Sequence, residues 1–238
     1  MPQIIRLGDI SVAWTRKSIK HVHLSVHPPK GRVTLVAPEG TRPEVARAFV
    51  ASKIGWIRKQ QAQLLAQARE TPREYVERES HHLWGRRYLL SVRESEAKPS
   101  VQLDHRRIVL TIRPGSSRTK RDEVMQEWHR ALLHEEIPGL VRKWETKLGV
   151  RVAGYFLQRM KTKWGGCNHR ARNIRINTEL VMKPKDLLEY VVAHEILHLI
   201  EPRHNDRFVA LIQKHYPTWR EARAELNELP LSAEAWKE

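Results

Sequence analysis

The stretch VVAHEILHLIEPRHNDRF, residues 191–208, decides how the rest of the chain is organised. It contains three histidines, His194, His198 and His204, and Glu195 directly follows the first of them. On an α-helix, residues four apart lie on one face about 6 Å apart along the axis, so His194 and His198 can direct imidazole nitrogens at one ion. This HExxH spacing predicts a zinc-binding helix with Glu195 beside the metal.

Apolar residues surround the motif and place it on a core helix. They are Leu187, Leu188, Val191, Val192, Ile196, Leu197, Leu199 and Ile200. No glycine or proline interrupts the sequence between Lys185 and Glu201, so we predict a buried helix over that range, ended by Pro202. A pair of hydrogen-bonded core histidines is the alternative to a zinc site.

A catalytic zinc ion usually takes three protein ligands and leaves one position to water, so the site needs a third ligand. His204 follows Pro202, where the chain can turn back toward the metal. Glu201 is the competing candidate, because it lies on a helical face similar to that of His198. We favour His204, since zinc accepts imidazole about as readily as carboxylate and the turn gives His204 freedom to approach.

The composition is that of a globular protein, with 238 residues and 40% hydrophobic content. No apolar run approaches the roughly 20 residues needed to span a bilayer, and residues 1–9 lack the apolar stretch of a secretory signal. We therefore expect a cytoplasmic protein without a membrane partner. The lone cysteine, Cys167, excludes an internal disulfide and a cysteine-based zinc cluster, and we expect it to be packed rather than nucleophilic.

The net charge of +16 and a pI near 10.3 predict a positive field that attracts polyanions, with nucleic acid as the obvious candidate. Lysine and arginine are interleaved with acidic residues, however, and no block of five or more like charges occurs. Nucleic-acid binding through a basic surface is therefore an alternative that composition alone supports weakly.

Alternating apolar residues predict strands in the first half of the chain, at Ile10–Trp14, His21–His27, Arg32–Ala37, Leu83–Val92 and Val101–Ile112. Residues 28–31 are predicted to turn the hairpin of His21–His27 with Arg32–Ala37. Leu83–Val92 and Val101–Ile112 are predicted to form a second hairpin, with residues 104–107 as a turn within the latter stretch. Thr41 and Glu44 have the spacing of a capping box, which predicts a helix that runs to about Arg69.

The second half begins with a long amphipathic pattern from Thr119 to Leu148, which Pro138 should kink or split. Val152–Met160 and Asn173–Asn177 are predicted to form a hairpin, joined by residues 161–172. An edge strand beside the zinc helix can hold an extended peptide, with Lys161, Lys163 and Arg170 beside it. Helices are predicted to about His215 and from Thr218 to Leu229, and we find no sequence repeat.

Three segments resemble the YgjP-like family of predicted zinc metallopeptidases. They are HEILHLIEPRHNDRF at residues 194–208, KTKWGGC at residues 161–167 and NTEL at residues 177–180. The resemblance covers nearly the whole chain, with Gly166 in place of the usual serine. It implies zinc ligands at His194, His198 and His204 and a catalytic Glu195, but it supplies no particular substrate.

Together these patterns predict an α+β fold, in which N-terminal β-hairpins and a helix, residues 1–115, pack with a zincin-like catalytic half, residues 116–238. The catalytic half would contain a hairpin and the HExxH helix, and the whole chain, residues 1–238, is predicted to form one domain.

The predicted function is zinc-dependent hydrolysis of peptide bonds, with Glu195 taking a proton from water and passing it to the leaving amine. Candidates to stabilise the oxyanion are Tyr155, Tyr190, His215 and Tyr216. Two alternatives keep the zinc: a nucleic-acid-associated peptidase that acts on DNA-bound proteins, and a non-catalytic structural module. The structural module would need a fourth ligand such as Asp206 or Glu201.

Overall fold

The computed structural model describes residues 3–27, 31–66, 73–160 and 163–228. These residues form two compact units, one within Met1–Glu70 and one within Thr71–Leu229. Within the described ranges, no helix is both long and apolar enough to cross a membrane. The prediction of one domain divided near residue 115 stays a prediction.

The described residues of the first unit form a four-stranded sheet and two helices. They are β1 (Gln3–Leu7), β2 (Ile10–Lys17), β3 (His23–His27), β4 (Arg32–Pro38), α1 (Pro43–Ser52) and α2 (Ile54–Ala66). The strand order is β1-β2-β4-β3, with β2 and β4 parallel and the outer pairs antiparallel. Alternate residues such as Trp14 and Leu35 face a core to which the helices add Val50 and Ile57.

The predicted β3–β4 hairpin is confirmed, although residues 28–30 of its turn lie outside the described ranges. The single helix predicted from Thr41 to about Arg69 is wrong within the described range, because Lys53 separates α1 from α2. In a continuous helix, the Lys53 N–H would donate to the Phe49 carbonyl. Here the Ser52 hydroxyl donates to that carbonyl, and the Lys53 N–H donates to the Val50 carbonyl instead. The capping box is also wrong, since α1 has no side-chain cap.

The second unit begins with a sheet of the same design. Its strands are β5 (Ser80–Leu83), β6 (Arg86–Glu94), β7 (Ser100–Asp104) and β8 (Arg107–Ile112). The order is β5-β6-β8-β7, again with the central pair parallel. The predicted turn at residues 104–107 is confirmed, but the expected hairpin between residues 83–92 and 101–112 is wrong, because β6 and β8 pair in parallel.

A helix of 31 residues, α3 (Arg118–Leu148), follows this sheet. The Ser117 hydroxyl accepts the Lys120 N–H at 3.2 Å, and Gly149 ends the helix in the left-handed conformation. Pro138 lies inside the helix without splitting it, contrary to one of the two predicted outcomes. A proline removes one backbone hydrogen bond, and the burial of Ile137 and Trp144 on either side holds the helix in the core.

A three-stranded sheet precedes the HExxH helix. It consists of β9 (Gly154–Gln158), β10 (Gly165–Asn168) and β11 (Asn173–Asn177), in the order β10-β11-β9. The predicted hairpin between residues 152–160 and 173–177 is wrong, because β9 and β11 are parallel. The antiparallel partner of β11 is β10, which lies within the segment predicted to be a turn.

A 3-10 turn (Thr178–Met182) leads into the last three helices, α4 (Lys185–Leu197), α5 (Asp206–His215) and α6 (Trp219–Glu228). From Leu187 onward α4 is largely buried, as its continuous apolar sequence predicts. It ends at Leu197 rather than Glu201, because the N–H groups of Leu199 and Ile200 bond to carbonyls three residues back and tighten the last turn. The predicted α+β class is confirmed.

Candidate metal centre and active site

Three histidines meet where α4 ends. His194 lies in the last turn of α4, His198 caps its C-terminus, and the loop before α5 brings back His204. The Nε2 atoms of His194 and His204 are 2.9 Å apart, and one ring nitrogen from each histidine lies within 4.8 Å of the others. The structure thus brings together all three side chains that the sequence nominates as ligands.

The protonation of these rings suits a metal ion. His198 Nδ1 lies 3.0 Å from the Glu201 carbonyl oxygen, which can only accept, so Nδ1 carries the hydrogen and Nε2 keeps its lone pair. Burial, with the neighbouring His198 and His204 rings, lowers the pKa of His194 to about 3. Burial also lowers the pKa of His198 and of His204. Three neutral imidazoles are a donor set that fits zinc.

Phe208 supports the three rings from α5. Its ring stacks on His198 with centroids 4.7 Å apart and meets the edge of His194 at 5.0 Å. The Asn205 side chain caps α5 by accepting the Phe208 N–H at 3.0 Å, which fixes the start of the helix. A helix cap and an aromatic side chain therefore hold the histidines in place.

The competing ligands predicted from sequence face elsewhere. The Glu201 carboxylate accepts the Arg203 N–H at 3.2 Å and lies 4.0 Å from the Arg207 guanidinium. Among the described residues, the group able to hold a metal contains His194, His198 and His204, without Glu201 or Asp206. This arrangement favours His204 as the third ligand, and the described part of the chain offers no fourth protein ligand for a closed structural site.

Glu195 lies beside the histidines, only 6% exposed and directly below β10. A Cβ atom on Gly165 would lie 2.5 Å from Glu195 Oε1, so the strand can approach the carboxylate only because position 165 has no side chain. Burial raises the pKa of Glu195 to about 8, against the opposing effect of the Lys163 charge. Sequence reasoning missed Gly165, because two adjacent glycines are typical of a turn.

A cavity of about 450 Å³ opens above Glu195 and the histidines. Strand β10 and the residues just before it form one wall, and α6 forms part of the other. The wall residues are Lys163, Trp164, Gly165, Gly166 and Cys167 on the first side and Arg223, Leu226 and Asn227 on the second. Burial and the Glu195 charge raise the pKa of Cys167 to about 11, which keeps it a thiol at neutral pH, in line with its predicted packing role.

The predicted oxyanion candidates divide into two groups. Tyr190 lines the cavity, with its ring at the edge of His194. Tyr155 shares a hydrogen bond with His134, Tyr216 donates to the Asp186 carbonyl, and the lining residues include neither tyrosine. His215 is likewise not a lining residue.

Among the cations predicted to flank the cleft, Lys163 lines the cavity, Arg170 does not, and Lys161 lies outside the described residues. Arg223 was missed, because nothing in the sequence of α6 links it to the histidines.

The Asn177 amide fastens the segment that delivers β10 to the cleft. Its Nδ2 donates to the carbonyls of Met160 and Lys163 at 2.9 and 2.8 Å, and its Oδ1 accepts the Glu179 N–H at 3.1 Å. Asn177 is 2% exposed, so these bonds satisfy an amide that water scarcely reaches. The described ends of this segment are thus tied to the last residue of β11.

A family model described as "YgjP-like, metallopeptidase domain" matches residues 20–229. The chain belongs to this family. It is therefore a metallopeptidase, a metal-dependent hydrolase whose substrates are peptides or proteins, and the resemblance seen in the sequence is confirmed.

Curated proteins give no match to this chain. Among solved structures, the chain is similar to the metallopeptidase zymogens abylysin of Pyrococcus abyssi and jannalysin of Methanocaldococcus jannaschii. The identities are 16% and 18%, each over 38% of this chain and over 90% and 93% of those chains. TM-scores of 0.36 and 0.35 are too low to establish a common fold.

Proposed function

We propose that this YgjP-like protein is a zinc peptidase in which His194, His198 and His204 hold the ion and Glu195 is the general base. One observation carries the proposal: three neutral imidazoles converge within 4.8 Å at the floor of a cavity. The adjacent carboxylate of Glu195 lines the same cavity. Metal donors and a proton acceptor therefore face one space that a peptide can enter.

Zn²⁺, when bound, supplies a Lewis acid that lowers the pKa of its water to about 7 and polarises the scissile carbonyl. The protein's part is to hold the ion through neutral ligands, which leave its double positive charge undiminished. A cation held by the three histidines would lower the pKa of Glu195 from about 8, so that its carboxylate is ionised, takes a proton from the attacking water and returns it to the leaving amine. Its confinement below Gly165 limits where that carboxylate can lie.

The cleft suits an extended peptide, because β10 is the edge strand of its sheet and passes directly over Glu195. Trp164 packs against the core beside this strand, with the Lys183 ammonium 5.8 Å from its ring, which agrees with an anchoring role. Nucleic-acid binding stays a prediction from the net charge of +16, with no further observation in its favour.

The test measures zinc content and peptide hydrolysis on matched variants. Glu195→Gln should keep about one zinc ion per chain and lose about 100-fold or more in hydrolysis, because the amide cannot accept the proton. His204→Ala should lose zinc at micromolar chelator, whereas Glu201→Ala should keep it, since only the former removes a proposed ligand.

Full hydrolysis by Glu195→Gln would refute the proposed base. Zinc loss from Glu201→Ala with retention in His204→Ala would exchange the roles of these two residues. A wild-type protein that binds zinc tightly but cleaves no member of a broad peptide library would point to the structural alternative.

A further inference from the structure

Two cations border the cavity above the histidines, Lys163 and Arg223. Glu195 is the single carboxylate among the described residues that line it. In the described part of the chain, the Arg223 guanidinium has neither a hydrogen bond nor a carboxylate within ion-pair distance. The cleft therefore presents a guanidinium charge that the described structure leaves unpaired.

Arg223 also borders a second cavity. This space, also about 450 Å³, lies on the side of His194 and His204 that faces α5 and the start of α6. Its other lining residues are mostly aromatic and aliphatic: Tyr190, Phe208, Val209, Ile212 and Trp219. Arg223 lines both cavities, as do His194 and His204, so this exposed residue lies where the cavities adjoin, beside the proposed metal ligands.

The packing of α6 fixes this position. Ala222 and Leu226 are buried in the core and anchor the helix. Arg223 and Asn227, one turn apart, share the face that lines the first cavity, and Trp219, one turn earlier, lines the second. The helix thus directs Arg223 toward the cleft, while its other arginine, Arg220, lies over the Trp219 ring and lines neither cavity.

A guanidinium is charged at every relevant pH and offers a planar fork of donors that matches a carboxylate. We propose that Arg223 binds a carboxylate of the substrate, so that this peptidase selects peptides carrying a negative group next to the scissile bond. The group is either an aspartate or glutamate side chain or the C-terminal carboxylate of the peptide. This inference rests on the proposed peptidase function, whose substrate class it names.

The competing role for Arg223 is to stabilise the oxyanion that forms at the scissile carbonyl. An oxyanion group acts on every peptide alike and lowers kcat when it is removed. A carboxylate-binding group acts only on peptides that carry the charge and changes the dissociation constant. Binding measurements without turnover therefore separate the two roles.

The experiment uses the full-length, zinc-loaded protein with Glu195→Gln, which is expected to bind peptides without cleaving them. A short alanine-rich peptide carries glutamate or glutamine at each position in turn, with a free or an amidated C-terminus. Fluorescence anisotropy gives each dissociation constant. We expect the best charged peptide to bind about 10- to 100-fold more tightly than its neutral counterpart, the range of a charge-assisted hydrogen bond.

Adding Arg223→Gln should abolish this preference, and Arg223→Lys should restore part of it, because lysine keeps the charge but loses the fork. Arg220→Gln, with the same change of charge on the same helix, should leave the preference intact. Zinc content and circular dichroism establish that each variant is folded. A preference for glutamate alone identifies a side-chain carboxylate, and a preference for the free C-terminus alone identifies the terminal one.

Equal binding of charged and neutral peptides, or no binding of any peptide at millimolar concentration, would overturn the proposal. So would a preference that survives in Arg223→Gln. In the protein with Glu195 intact, a uniform loss of kcat over all peptides with KM unchanged would assign Arg223 to the oxyanion instead. Failure of the peptidase function itself appears elsewhere, as a wild-type protein that binds zinc but cleaves no member of a broad peptide library, so the two failures are distinguishable.

Discussion

The two four-stranded sheets have one design but different surroundings. Both have their strands in the order 1-2-4-3, with parallel central strands and antiparallel outer pairs. At the tip of the first hairpin, Gly8-Asp9, a Cβ on Gly8 would meet nothing within 4 Å, and the Asp9 carboxylate accepts a hydrogen bond from Arg58 of its own unit. The tip of the second, Trp84-Gly85, is held by other parts of its unit.

Contacts at this second tip lead directly toward the candidate site. The Trp84 N–H donates to the Val181 carbonyl at 2.8 Å, and a Cβ on Gly85 would lie 2.8 Å from the Pro184 ring. Pro184 immediately precedes α4, which carries Glu195. A strand topology by itself therefore does not reveal function; the first hairpin has an open glycine at its tip, whereas the second supports the HExxH helix of its own unit.

The adjacent glycines of the cleft, Gly165 and Gly166, also differ in their surroundings, and substitution of Gly165 is expected to have the largest effect on hydrolysis. Gly165→Ala should lower peptide hydrolysis by about 100-fold or more, because the new Cβ would lie 2.5 Å from Glu195 Oε1 and displace the carboxylate that we propose as the base. Glu195 Cγ and Cδ would also lie 2.7 and 2.8 Å from that Cβ, so the buried side chain must move as a whole and the melting temperature should fall as well. Zinc content should change far less, because the three histidines are not displaced. Steady-state kinetics with metal analysis measures both.

Gly166→Ala is the matched control, since a Cβ there would meet nothing within 4 Å. It should keep nearly normal hydrolysis, although Gly166 stands where the family usually has serine. Equal losses in the two variants would show that backbone freedom, rather than contact with Glu195, explains the glycine pair.

The parts of the site that lie close together in sequence were predictable. His194, Glu195 and His198 fall within little more than one helical turn, so the spacing itself brings them together. His204 required a correct interpretation of the turn after Pro202. Gly165 and Arg223 were not predictable, because their positions depend on which strand covers α4 and on where α6 packs.

The prediction of strand pairing failed for a different physical reason. Hairpins follow from neighbouring strands and a turn, and the β3–β4 hairpin was found in this way. Three parallel pairs, β2 with β4, β6 with β8 and β9 with β11, join strands separated by an intervening segment, which local alternation does not encode. The shared strand order of the two sheets could not be predicted for the same reason, because the strand pairing is repeated while the sequence is not.

The two hairpin tips predict an intermediate effect. Gly8 and Gly85 both have left-handed backbones, with φ of 61° and 76°, so alanine introduces similar strain of about 1–2 kcal/mol at either position. Gly85→Ala must in addition move Pro184, whose ring and backbone both lie within about 3 Å of the new Cβ. We expect Gly85→Ala to lower the melting temperature more than Gly8→Ala does and to weaken zinc retention.

Thermal unfolding followed by circular dichroism and a chelator titration would compare these variants. Equal melting temperatures and equal zinc retention would mean that the contact with Pro184 supports α4 no more than an open turn would. The tips of the two sheets would then have different neighbours but equal effects on stability and zinc retention.

The smallest effect is expected at Asp9, the other residue at the tip of the first hairpin. Its carboxylate accepts a hydrogen bond from Arg58 at 3.1 Å, with side chains that are 75% and 63% exposed. A hydrogen bond from its own backbone, and then Arg58, hold the pKa of Asp9 below its usual value. The pairing therefore favours the folded state above that usual pKa and is lost as the pH falls below the lowered pKa.

Water and salt screen such a pair, so Asp9→Asn should leave the melting temperature at pH 7 within error and hydrolysis unchanged. Melting curves at low and high salt, with activity assays, provide the measurement. A loss of hydrolysis in Asp9→Asn would contradict the expectation that this exposed pair contributes little.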